Sequence, residues 1–176
     1  VARHAQAGAT LTESLVVVAI AAVLLGTAAP GFQDLRQRRQ LEGVAMQLET
    51  DLQLARAEAV ARNESVRVAF AAETAGGSCY VLHTGPAGAC RCDGAGATTC
   101  APGAKALRAV PLAPGYPVQL TSNSASILFD AVKGTVTPTA TMRVTAEVGE
   151  IRQIVNIMGR VRSCSPAPAL PGYRRC

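Results

Sequence analysis

An α+β fold, with one long N-terminal helix packed on antiparallel β-sheets, follows from three features of the sequence. A charge-free apolar run occupies residues 15–29. A stripe at three- and four-residue spacing follows it: Leu41, Val44, Leu48, Leu52, Ala55 and Ala59. Beyond Asn63 the pattern changes to short alternating segments bounded by turn residues. A helix first and strands after is the order of an α+β domain, not of repeated βαβ units.

The 176 residues suit one ordinary domain. Hydrophobic residues make up 49% of the chain but aromatics only 3%, so the core is expected to be built from small aliphatic side chains. His4 and His83 are the only histidines, which leaves little material for acid–base catalysis or a histidine metal site. No triad or paired-acid site is visible, so catalysis, a cofactor and a metal are not expected.

Residues 9–29 reach about 30 Å at about 1.5 Å per residue, one hydrocarbon thickness. All faces of this stretch are apolar, which argues against a soluble core helix. A secretory signal fits poorly, because Ala28-Ala29 runs directly into Pro30 and Glu13 sits where the apolar region begins. Pro30 is expected to kink or loosen the helix. A carboxylate in lipid costs about 2–3 kcal/mol at mid-helix and less near an end, so Glu13 points to function.

Gly8, then Ala9-Thr10-Leu11-Thr12-Glu13, then an apolar run ending in proline, resembles the class III signal of type IV pilins and pseudopilins. The resemblance implies a type IV pilin-like fold, with a membrane half and an amphipathic half of one helix. It implies cleavage between Gly8 and Ala9 by a prepilin peptidase and methylation of the new N-terminus. Glu13 would neutralise the cationic N-terminus of a neighbouring subunit, being costly alone and favourable once paired in a low dielectric. Ala9 stands where the family usually has phenylalanine or methionine. Arg36, Arg38 and Arg39 follow the apolar run and Arg3 precedes it, so a positive-inside count points the other way. The cleavage signal and the cysteines set the expected orientation: a single pass through the inner membrane, a periplasmic C-terminal part, and later display on a pilus.

The expected organisation is a leader at 1–8, a transmembrane and assembly helix at 9–30, an amphipathic helix at 31–63, and a β-rich domain with a basic tail at 64–176. The segment DLQLARAEAVARNESVRVAF, residues 51–70, is similar to the FimT/GspH group of minor pilins, where a helix with an A-R-x-E-A core runs into the first strand. Arg56, Glu58 and Arg62 read as a solvated helix face with weak ion pairs. Strands are expected at 65–70, 79–83, 107–112, 117–121, 126–130, 141–148 and 151–158. Residues 84–106, rich in glycine and alanine, read as a long loop.

Six cysteines suggest an oxidising compartment for an exported chain. Cys79, Cys90, Cys92 and Cys100 cluster around the glycine-rich segment, and Cys164 and Cys176 flank the tail. Locality favours Cys164–Cys176 and two bridges within the first group, but the spacing does not choose among the pairings. A zinc site fits less well, because Cys90-x-Cys92 is not the usual knuckle spacing.

The tail carries the chain's charge excess. Residues 151–176 contain Arg152, Arg160, Arg162, Arg174 and Arg175 and no acid, which accounts for the net +5. Arginine suits phosphate because its planar fork donates two parallel hydrogen bonds. Arg160 and Arg162 are two apart and would project together from an extended chain. Tyr173 could add a stacking face. From these residues alone a solubilising tail is the better reading. Gly159-Arg160-Val161-Arg162, however, resembles the G-R-x-R motif near the C-terminus of FimT-type minor pilins, where it binds DNA during natural transformation. That implies DNA contacts from Gly159, Arg160 and Arg162, to which charge and the expected ring add Arg174 and Arg175. The partners implied are DNA without sequence preference, other pilins, the prepilin peptidase and the inner membrane. The alternatives are a structural minor pseudopilin of a type II secretion system, or a pilus-priming subunit, without DNA binding. A cysteine-based redox protein is a third class.

Overall fold

The computed structural model describes residues 10–72, 77–93 and 95–176, with the backbone alone at 27–30. Gly8 and Ala9, the expected cleavage site, lie outside the described residues, as does the side chain of Pro30. Two compact units meet at Arg36/Gln37.

Helix α1 spans Leu11–Arg62. The Glu13 amide donates to Thr10 Oγ1 at 3.3 Å, so Thr10-x-x-Glu13 has the pattern of a capping box. At the other end Asn63 takes a positive φ of 51°. The Asn63 and Glu64 amides return to the carbonyls of Val60 and Ala59. This is a Schellman motif, with asparagine in the left-handed position that glycine usually fills. In the first unit, the described side chains up to Gly26 are exposed and Glu13 is the one acid among them. No single helix among the described residues is long and apolar enough to cross a membrane; Leu11–Gly26 and Gly31–Arg62 meet that test only as a pair.

In the second unit the stripe is buried as its spacing requires: Leu41, Leu48, Leu52, Ala55 and Ala59 have no exposed surface. It packs on two antiparallel sheets. The first has the order β5-β2-β1-β7-β8, from β1 (Val66–Ala72), β2 (Ser78–Thr84), β5 (Ala106–Leu112), β7 (Ser126–Phe129) and β8 (Val136–Thr137). The second has the order β11-β10-β9-β6, from β6 (Gln119–Ser122), β9 (Ala140–Ala146), β10 (Gly149–Val155) and β11 (Val161–Cys164). Their inward residues, among them Val66, Val68, Tyr80, Leu82, Ile127, Phe129, Leu120, Met142, Val144 and Ile151, share one core with the helix.

Polar ties fix the helix on this core. Asp51 is buried, accepts a hydrogen bond from Tyr80 at 2.7 Å and meets Arg108 at 3.0 Å. Burial and the Asp51 carboxylate push the Tyr80 hydroxyl far above its usual range. Gln153 is buried and donates to the Ala45 carbonyl at 3.1 Å.

The loop expected at 84–106 is a correction. It contains β3 (Cys90–Cys92) and β4 (Thr98–Cys100), paired antiparallel. Cys90 bonds to Cys100, its direct cross-strand partner, and Cys79 on β2 bonds to Cys92. These short strands show no hydrophobic alternation; covalent bonds hold them where side-chain burial cannot. The strand expected at 151–158 ends at Val155, because the chain turns at Asn156 and leaves Ile157 and Met158 exposed.

Candidate functional site

The expected DNA residues lie around the β10–β11 hairpin and the tail. Gly159 has φ 72°, and a Cβ there would stand 2.8 Å from the Gly134 carbonyl oxygen. The turn thus demands glycine on two counts, independent of any ligand. Asn156 closes it: its carbonyl accepts from the Gly159 amide and its Oδ1 from the Arg160 amide, both at 2.9 Å. Arg56 lies over Gly134 and Gly159, while Glu58 and Arg62 form a helical i,i+4 pair.

Along β11 the side chains alternate. Ser163 points inward, 2.7 Å from the Glu49 carboxylate and 2.8 Å from Gln153 Oε1. Arg162 therefore projects outward, across from Ile154 of β10. Beyond Cys164 the chain loops away and returns. Leu170 is buried against Gly149, and its amide donates to Ser165 Oγ. Arg38 of α1 donates to the Pro171 carbonyl at 2.6 Å. The Ser165 amide then donates to the Arg174 carbonyl, and the Cys176 amide to the Ser165 carbonyl. The Cys164–Cys176 disulfide closes the ring, with Cα–Cα 5.0 Å.

This return brings Arg174 and Arg175 to Arg162. The three line one hollow of about 370 Å³, with Ile154 and the Cys164–Cys176 bridge as its apolar floor. Arg160 does not line it: the hairpin turn leaves that residue exposed at the side. Among the described residues, no carboxylate pairs with Arg160, Arg162, Arg174 or Arg175, whereas Arg152 is bound to Glu150. Tyr173 is half-buried and packs on the core cluster. Burial, then Glu42 and Glu49, raise its hydroxyl pKa, and this packing limits it as a stacking face. All six cysteines are in disulfides, so none is left as a thiol or metal ligand.

The sequence reading missed two features of this region. Asp51 falls in phase with Leu48 and Ala55, a helical spacing that marks it as core-facing. Tail closure depends on Leu170, whose isolation in a Pro/Ala-rich segment was the available sign of an anchor.

The family described as type II transport protein GspH matches residues 44–159, most of the second unit. The chain belongs to the GspH family. Its fold is similar to that of the type IV minor pilin FimU of Pseudomonas aeruginosa strain PAO1. The two are 19% identical with a TM-score of 0.50, covering 77% of this chain and 96% of that one. A second crystal form of FimU gives 19% identity and a TM-score of 0.48, covering 75% and 98%. No curated protein matches the chain. The fold is type IV pilin-like, a long N-terminal helix packed on antiparallel β-sheets.

Proposed function

We propose that this chain is a structural minor subunit of a type IV pilus or a type II secretion pseudopilus. Before assembly it is held in the inner membrane by its N-terminal helix. One observation carries this reading: an apolar helical segment, exposed along its described length, has a single carboxylate, Glu13, in its first turn. Buried among like helices, that segment loses its exposed apolar surface, and Glu13 meets a neighbour's cationic N-terminus. Membership of the GspH family supports it. The test is recovery of the full chain in the filament fraction of its own bacterium. Glu13→Val is expected to remain in the membrane and to be depleted from filaments at least tenfold. Mass spectrometry of the mature protein should find Ala9 as the methylated N-terminus. Undiminished Glu13→Val in filaments would contradict the reading.

A second reading, DNA binding by the tail in support of uptake, is favoured by one specific observation: three unpaired guanidinia share one hollow. With about four phosphate contacts, including Arg160, binding to duplex DNA should weaken with salt at a slope of about −3 to −4. A mobility shift with full chain in detergent micelles tests it. Arg162→Ala/Arg174→Ala/Arg175→Ala should abolish the shift at physiological salt. If wild type does not shift DNA even at low salt, the arginines are surface charge and the structural role stands alone.

A further inference from the structure

The outer face of the four-stranded sheet carries a charge pattern that extends beyond the tail. Register sets Thr121 opposite Arg143, Arg143 opposite Arg152, and Arg152 opposite Cys164. One row further, Thr141 is opposite Ile154, and Ile154 opposite Arg162. The alternate residues Met142, Val144, Ile151 and Gln153 are buried. Arg143, Arg152 and Arg162 therefore all stand on the opposite face. Glu150 is the acid among them, bound to Arg152 and 4.0 Å from Arg143, whose side chain is 57% exposed.

We propose that this whole face, and not the tail hollow alone, is the contact surface for the phosphodiester backbone of duplex DNA. Arg143 and Arg152 then join Arg162, Arg174 and Arg175, and Glu150 competes with the phosphates for the first two. The proposal rests on the DNA-binding reading above. Adjacent strands lie about 4.8 Å apart, so Arg143, Arg152 and Arg162 step across three neighbouring strands, β9, β10 and β11, towards the tail. Thr121 and Thr141 on the same face supply neutral donors of the kind that contact phosphate oxygens. Ile154 is the one large aliphatic residue on this face, too little for the apolar centre of a protein–protein contact. No aromatic residue occurs in these four strands, so unpaired bases find no stacking platform.

The experiment measures binding of full chain in detergent micelles to a labelled duplex of arbitrary sequence across a salt series. Arg143→Gln/Arg152→Gln should reduce the magnitude of the salt slope by about 1–2. Glu150→Gln, which frees both guanidinia, should tighten binding several-fold at low salt, a gain that misfolding cannot produce. If wild type binds and both variants match it in slope and affinity, the proposal falls and tail-only binding remains. If wild type does not bind, both fall. Displacement by polyglutamate at equal charge concentration would assign the face to an acidic polypeptide and overturn the proposal. Tighter binding to the unpaired strand than to the duplex would overturn it as well.

Discussion

Two segments of this protein are closed by disulfides, and they are held in different ways. The flap at 85–105 lies between Thr84 and Ala106 and contains no large apolar residue. Two bridges, Cys79–Cys92 and Cys90–Cys100, tie it down, with sequence separations of 13 and 10. The tail ring has one bridge, with a separation of 12, but also a buried Leu170, a half-buried Tyr173 and the Arg38–Pro171 hydrogen bond. Covalent closure substitutes for burial where the sequence offers nothing to bury. Where anchors exist, one bridge suffices and the backbone can present charge at a fixed place.

The largest effect should come from the flap. Replacing Cys79, Cys90, Cys92 and Cys100 by serine removes two loop closures of about 3 kcal/mol each. The thermal midpoint of the full chain in detergent should fall by about 10–20 °C, with protease cuts appearing within 85–105. An uncut flap would mean that it has anchors other than its bridges. Leu170→Ala tests the tail in the same way. It should cost about 2–3 kcal/mol, felt as proteolysis within 165–176 even with Cys164–Cys176 intact. A tail that stays protected would reduce the comparison to disulfide count alone.

A smaller, pH-dependent effect separates the two segments further. The Tyr173 pKa is raised in the folded chain, so its neutral form is favoured there. The resulting stabilisation is fully present below the unfolded value of about 10 and is lost as pH rises through the folded value. Protection of the tail from proteolysis should therefore weaken above about pH 10, and Tyr173→Phe should remove that dependence. Tyr80 is raised as well and loosens the core in the same direction, so Tyr80→Phe is the control for a global effect.

The same contrast explains what was legible in the sequence. Burial by periodicity is readable: the 41–59 stripe and the alternation of Val66 and Val68 mark the helix and the first strand. Asn63 marked the helix end because its side chain tolerates the left-handed conformation. Segments held by covalent bonds or single anchors are not readable in this way. β3 and β4 have no alternation, and six cysteines alone do not specify their partners. The end of β10 at Val155 was missed for a related reason. Ile157 and Met158 extend the apolar pattern of β10, so the turn at Asn156 was hidden behind residues that look like strand and are exposed. Arg160 and Arg162, two apart in sequence, consequently do not share the hollow that Arg162 shares with Arg174 and Arg175.

The most direct measurement is duplex-DNA affinity of the full chain with one bridge removed at a time, Cys164→Ser/Cys176→Ser against Cys79→Ser/Cys92→Ser. The tail bridge positions arginines and the flap bridge positions none of the lining guanidinia. Loss of the tail bridge should therefore weaken binding roughly tenfold at physiological salt, while loss of the flap bridge leaves it unchanged. Equal affinity in the two variants would contradict the account.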